Sequence, residues 1–229
     1  MAKSAVARST QSRVRRAPAA TRAPMSLPST SPPAEVPRDD PWARLAPTYR
    51  VGDRWTYRTR TLTSVSEGVP DRTVEVIGIS GDGEVRFSDG ERRAADGTLA
   101  SAGSLPQRLR TTLPFPIREG QRFVYETGPF TSSAGVKNTS RPITCTVGEY
   151  EAVDVPLGRV GAWRIECDTR YTTTSASRNA TGSSEVEHTG TVVLWYSPLA
   201  KRYVKAQQQA WAGNWRYEGI YEMTSATLH

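Results

Sequence analysis

Arg54-Trp55-Thr56-Tyr57-Arg58-Thr59-Arg60-Thr61 alternates without a break: Trp55, Tyr57, Thr59 and Thr61 fall on one side, and Arg54, Thr56, Arg58 and Arg60 on the other. A period of two, carried by aromatic and β-branched residues, is the mark of a half-buried strand. The pattern recurs as Trp163, Ile165, Cys167 and Tyr171 against Arg164, Glu166, Asp168 and Arg170. It recurs again as Trp215, Tyr217, Gly219, Tyr221 and Met223 against Arg216, Glu218 and Glu222. Helical spacing is poorly met in all three.

Further strands are expected at Thr73–Ile79, Glu84–Ser88, Arg122–Glu126, Ile143–Val155, Glu185–Tyr196 and Arg202–Ala212. Gly81-Asp82-Gly83, Ser88-Asp89-Gly90, Asp96-Gly97 and Gly213-Asn214 are short hairpin signals between them. Ser104–Thr112 is the one stretch suited to a helix. The expected class is therefore all-β with at most one short helix: an antiparallel meander of eight to ten strands, rolled into a barrel or half-barrel that protects its edges.

One stretch echoes another. Arg50-Val-Gly-Asp-Arg-Trp-Thr-Tyr-Arg-Thr59 aligns without gaps on Arg118-Glu-Gly-Gln-Arg-Phe-Val-Tyr-Glu-Thr127, keeping Gly, Arg, an aromatic, Tyr and Thr in step. The pattern describes a glycine turn that delivers a strand whose aromatic pair packs inward; chance likeness of two strands is the competing reading.

Residues 1–47 read differently. Eight of the sixteen prolines lie between Pro18 and Pro47, among Ala, Ser, Thr and Arg, a composition that buries too little apolar surface to offset the entropy of ordering it. The expectation is a basic, disordered tail followed by one β-domain over 48–229, long enough to bury a substantial core. Lys3, Arg8, Arg13, Arg15, Arg16 and Arg22 precede the first acid, Glu35; without them 24 basic groups face 23 acidic ones, so most of the net charge of +7 belongs to the tail. No nucleic-acid partner is expected for the folded domain, since phosphate binding needs positive charge concentrated on one face. Only Lys3, Lys137, Lys201 and Lys205 are lysines among 30 basic residues, which reads as a compositional bias toward arginine rather than site chemistry. The residues after Arg15-Arg16 are polar, not the apolar stretch of an export signal, and no lipobox cysteine is present. No run of 18 apolar residues exists, which excludes a transmembrane helix on length.

Catalytic signals are sparse. The two histidines are His188, in an expected strand, and the terminal His229. They offer no metal pair, and no Gly-x-Ser-x-Gly elbow accompanies them. The carboxylate pairs Glu149/Glu151 and Glu185/Glu187 share a strand face but sit among solvent-facing neighbours. No phosphate-binding glycine loop follows a strand, and no cofactor is expected. The sequons at Asn138-Thr139-Ser140 and Asn179-Ala180-Thr181 would matter only in a eukaryotic secreted protein.

Cys145 and Cys167 lie eleven residues either side of Pro156, and alternation puts both on the apolar face. A cross-strand disulfide is within reach of a hairpin centred there, closing a loop worth roughly 3 kcal/mol in an oxidising compartment. Two buried free thiols fit the same positions.

Three further stretches carry a family resemblance: Val153-Asp-Val-Pro-Leu-Gly-Arg-Val-Gly-Ala-Trp-Arg-Ile165, Thr191-Val-Val-Leu-Trp-Tyr-Ser-Pro198 with Arg202-Tyr-Val-Lys205, and Phe115-Pro-Ile-Arg-Glu-Gly120. Together they resemble the TapB-like bacterial domains of unknown function, over about Tyr49 to Leu228. The resemblance implies a lipoprotein-carrier-like half-barrel of the periplasm or cell envelope and brings no catalytic residue with it. The expected function is non-catalytic: a domain binding or carrying an amphipathic lipid or peptide, with Trp55, Tyr57, Phe123, Tyr125, Trp163, Trp195, Trp215 and Tyr217 as ligand-face or core aromatics. An interaction module whose aromatics fill the core is the alternative, and a hydrolase a more distant one.

Overall fold

The computed structural model of the chain describes residues 44–63, 70–102, 112–125, 130–131, 137–140, 142–176, 183–212 and 215–229. Among these residues the fold is all-β, with β1 (Arg54–Thr61), β2 (Arg72–Ile79), β3 (Val85–Phe87), β4 (Glu91–Arg93), β5 (Leu99–Ala102), β6 (Arg122–Tyr125), β7 (Phe130–Thr131), β8 (Lys137–Ser140), β9 (Ile143–Val155), β10 (Gly158–Ala176), β11 (Ser183–Ser197), β12 (Arg202–Ala212) and β13 (Trp215–Thr227). Most of the tail, the helix expected at Ser104–Thr112 up to residue 111, the Gly213-Asn214 turn and the Asn179 sequon lie outside the described residues. Thirteen strands exceed the eight to ten expected because β4, β5, β7 and β8 are two to four residues long, too short to show a period.

All pairings are antiparallel and form one sheet in the order β5-β4-β3-β2-β1-β13-β12-β11-β10, where β10 pairs β9 along its first half and β8 along its second. No pairing among the described strands joins the two ends, so the sheet is open and the fully closed barrel is set aside. Its curl is nonetheless strong. β4 and β12 stand five strand steps apart, about 24 Å along a flat sheet, yet Arg202 on β12 donates to Glu91 on β4 at 2.6 Å. Where the β9–β10 turn curls back, Leu157 N donates to the Met223 carbonyl of β13 at 3.2 Å. The inner face holds Trp55, Val74, Val76, Phe87, Ile165, Leu194, Val204 and Met223, all but fully buried. Tyr49, Leu113 and Ile117, from the segments preceding β1 and β6, cover that face.

The sequence echo is a structural repeat. Gly52 and Gly120 both have positive φ, +93° and +74°. Asp53 N donates to the Arg50 carbonyl at 3.0 Å and Gln121 N to that of Arg118 at 3.1 Å. Arg50 N donates to Asp53 Oδ2 at 2.9 Å, and Arg118 N to Gln121 Oε1 at 3.0 Å. Each turn then docks on a valine of the next long strand: Gly52 N on the Val76 carbonyl, Gly120 N on that of Val147. In both copies a β-bulge follows that valine at once.

The second bulge sets the cysteines. Pro156 and Leu157 turn the chain so that Val155 faces Gly158, a register that would carry Cys167 to Thr146 if unbroken. One extra residue in β9 between Val147 and Tyr150 corrects it, and Cys145 faces Cys167 directly. The two are disulfide-bonded, with Cα atoms 4.1 Å apart and both sulfurs in the core.

Candidate functional site

The site starts from the turn between β11 and β12. Ser197 ends β11 and Pro198 prevents its continuation, as the Trp-Tyr-Ser-Pro stretch suggests. Lys201 then takes a left-handed conformation, φ 58°, with its N–H on the Pro198 carbonyl at 3.1 Å. The turn is anchored from inside: Trp55 Nε1 donates to the Ala200 carbonyl at 2.7 Å, and the Tyr49 hydroxyl to that of Lys201 at 3.0 Å. Asp53, fully buried in the first repeat turn, accepts from Lys201 Nζ at 2.7 Å and from the backbone N–H of His229 at 2.8 Å. A carboxylate just before β1 thus ties the β11–β12 turn and the last residue together.

That anchoring delivers Arg202 into the core. Its guanidinium lies 5.1 Å from the centre of the Trp55 ring and 4.8 Å from that of Phe87, an arrangement that stabilises a desolvated cation. Glu91, fully buried, accepts from Arg202 Nη2 through one oxygen and from Arg93 Nε through the other. Arg93 Nη1 donates on to the Gly97 carbonyl at 3.0 Å. Two cations share one anion. Arg202 Nη1 and the Tyr196 hydroxyl, both buried, have no hydrogen-bond partner among the described residues. Near them is a cavity of about 20 Å³, room for roughly one water molecule, whose lining includes Tyr57, Arg93, Phe115, Tyr196, Lys201 and Arg202.

Titration follows the geometry. Burial pushes the Glu91 carboxyl up, but Arg202 and Arg93 outweigh it and hold it below the ordinary value. Burial raises the Tyr57 phenol to about 12, against the opposing pull of Arg202, and raises those of Tyr196 and Tyr221 as well. The phenols are therefore neutral at physiological pH, each able to donate or to accept a hydrogen bond.

Of the aromatics picked out by alternation, only Trp55 and Tyr57 border this cluster. Trp163 packs edge-on against Tyr150 at 5.3 Å, elsewhere in the core. Trp195 pairs through Nε1 with Glu151 at 2.7 Å and lies under the Lys205 ammonium. Tyr125 is buried and Phe123 partly buried beside Cys145. Tyr217 folds over Gly219, and the Trp215 side chain lies outside the described residues. Glu149, Glu185 and Glu187 face solvent, and burial lowers the pKa of His188. Among the described residues no group of three His, Cys, Asp or Glu side chains could hold a metal ion, and no helix is long and apolar enough to cross a membrane.

Glu91, Arg93, Arg202 and Asp53 are missing from the sequence-based candidates. Arginine in this chain reads as compositional bias, and Glu91-Arg92-Arg93 resembles a solvated turn. The available signal was the spacing: Glu91 and Arg93 at i, i+2 fall on the same strand face.

No family model matches the chain, and no curated protein does either. Among solved structures, a Bacteroides fragilis protein with a YmcC-like fold, described as exported, shares 13% identity over 81% of this chain and 99% of its own, with a TM-score of 0.46. A Parabacteroides distasonis protein described as a lipoprotein shares 10% over 81% and 99%, with a TM-score of 0.42. The hypothetical lipoprotein YmcC of Escherichia coli shares 12% over 76% and 84%, at 0.28.

Proposed function

We propose that this is a non-catalytic, disulfide-bonded β-domain of an oxidising envelope compartment, acting through its surface as an interaction module rather than by enclosing a lipid or peptide. The observation that carries this reading is the packed inner face: Trp55, Phe87 and Ile117 are fully or almost fully buried, and the cavity between Tyr57, Tyr196 and Arg202 has about 20 Å³, room for roughly one water molecule. A drug-sized ligand needs about 300 Å³ or more. Carrying an acyl chain or a peptide would require Leu113, Phe115 and Ile117 to leave the core they cover.

The compartment is supported by the Cys145–Cys167 bridge, since such bonds persist where thiols are not kept reduced. Resemblance of the Val-Pro-x-Gly hairpin and the Trp-Tyr-Ser-Pro turn to TapB-like domains points the same way. The non-catalytic reading is supported by the placement of the acids: Glu91 is engaged by Arg93 and Arg202, Asp53 by Lys201 and Glu151 by Trp195, while Glu149, Glu185 and Glu187 face solvent.

Native mass spectrometry of protein purified without detergent tests this directly. The expected spectrum is the bare chain, two hydrogens lighter than its reduced form. A lipid or peptide that co-purifies at stoichiometric level would overturn the reading and restore the carrier.

A further inference from the structure

The two structural repeats differ in one respect. In the first, Val76 N donates to the Asp53 carbonyl at 2.8 Å; in the second, Val147 N donates to that of Gln121 at 2.9 Å. Antiparallel ladders bond at every second residue, so each of these bonds fixes which way the following backbone groups point. Trp55 and Tyr57 turn theirs to β2, which leaves those of Arg54 and Thr56 for β13, where Thr227 and Ser225 lie opposite. Phe123 and Tyr125 likewise turn theirs to Cys145 and Ile143 of β9. The N–H and C=O of Arg122 and Val124 point the other way, and there no described strand runs beside β6. The second repeat has an open edge where the first has β13.

That edge is built to pair. Val124 is 59% exposed, whereas its counterpart in the first repeat is the polar Thr56. Edges are ordinarily blunted by lysine, an inward-pointing charge or a bulge; β6 is Arg-Phe-Val-Tyr in unbroken register with β9, with one charge at its start. We infer that β6 pairs antiparallel with β6 of a second copy of this chain, about a twofold axis through Val124, and so continues the sheet from one chain into the next. The register follows from the backbone. Centring on Phe123 or Tyr125 would bring to the axis groups already bonded to β9, and centring on Arg122 would oppose two like charges. Centring on Val124 lets its N–H and C=O meet those of Val124 in the second chain, and it sets Phe123 opposite that chain's Tyr125, an aromatic cross-strand pair. The two Arg122 residues then stand about 13 Å apart along the strand, beyond the screening length of about 8 Å in physiological salt. The chain's own tail is the poorer occupant. Proline breaks it from Pro18 to Pro47 and removes the donors that edge pairing needs, and its first 16 residues bring five positives and no acid to a strand that begins with Arg122. A twofold contact uses the same edge on both chains, so pairing through β6 closes at the dimer. The edge lies outside the concave face, so this inference stands independently of whether the domain encloses a ligand, which co-purification decides.

The test uses the natural full-length chain, followed by sedimentation velocity and by amide hydrogen exchange at two concentrations. A contact of this length belongs with the small, weak interfaces, so dimer is expected at about 200 µM and monomer at about 2 µM. The Arg122 and Val124 amides should exchange about fivefold more slowly in the concentrated sample, while those of Phe123 and Tyr125, bonded to β9, stay slow in both. Val124→Lys, which places two like charges on the axis, should keep the disulfide and remain monomeric throughout. Ile77→Lys, at an equally exposed position on β2, should dimerise as the natural chain does. A natural chain that stays monomeric when concentrated, a dimer that survives Val124→Lys, one that is lost equally in Ile77→Lys, or Val124 exchange that ignores concentration overturns the proposal. The exchange measurement decides even where a variant fails to fold, because it needs only the natural chain.

Discussion

Glu91 holds two guanidiniums that would otherwise repel each other inside the core, so its charge matters more than its volume. Glu91→Gln keeps the shape and removes the anion, leaving Arg93 and Arg202 unbalanced. The expected loss is about 3–5 kcal/mol, the usual result of breaking a buried pair from one side, read as a lower urea midpoint. The same carboxyl predicts a pH dependence. Its folded pKa is depressed by the two arginines, so its contribution is complete above the ordinary glutamate value of 4.5 and is lost as pH falls below it through the folded value. Stability should therefore drop in acid below about pH 4.5. Glu91→Gln, already destabilised, should show a shallower drop. At this scale the sequence was half legible: Trp55 and Tyr57 are large, apolar and periodic, and they lie where alternation put them. Glu91 and Arg202 were not, because a charge paired inside the core leaves the same mark in sequence as a charge in water.

Elements were legible in proportion to their length. β9 and β12 run over the residues expected, since eleven or thirteen positions are enough for alternation to show. β4, with Glu91 and Arg93 on its inner face, is three residues of charge and offers none. Pairing across the β9–β10 hairpin was legible only because the turn and the cysteines constrain each other; the bulge at Gly148–Glu149 that reconciles them leaves no pattern of its own. Two outcomes belong to these elements. Reducing the Cys145–Cys167 bond, which closes a loop with a sequence separation of 22, should cost about 3 kcal/mol and lower Tm by about 6–12 °C in a reductant-dependent scan. Gly120 has φ +74° and open space where a side chain would go, so Gly120→Ala tests backbone strain alone. It should lose about 1–2 kcal/mol in urea. Gly120→Asn, which tolerates that region better, should lose less; equal losses would show that the repeat turn does not depend on its left-handed residue.

At the scale of the whole molecule, curl and charge are organised separately. The curl brings β4 to β12 and so could not be read from local pattern, which fixes faces but not the distance between strands five steps apart. The charge distribution could be read from sequence, and the strand faces explain why the domain is electrostatically quiet. Arg54 pairs with Glu75, Arg58 with Asp71, Arg60 with Glu222 and Arg170 with Glu187, acids and bases alternating across neighbouring strands. Each such pair contributes little stability, but each sets an acid beside a base on the sheet surface. The six positives between Lys3 and Arg22 have no acid before Glu35. A polyanion should therefore bind this protein through residues 1–24 and not through the sheet. Full-length chain is expected to be retained on heparin at low salt and to elute as salt screens the contact over about 10 Å. The variant lacking residues 1–24 retains 24 basic against 23 acidic groups and should flow through. Equal retention of the two would mean that the strand-face pairs leave a basic surface open after all, and the even pairing of charge across the sheet would have to be given up.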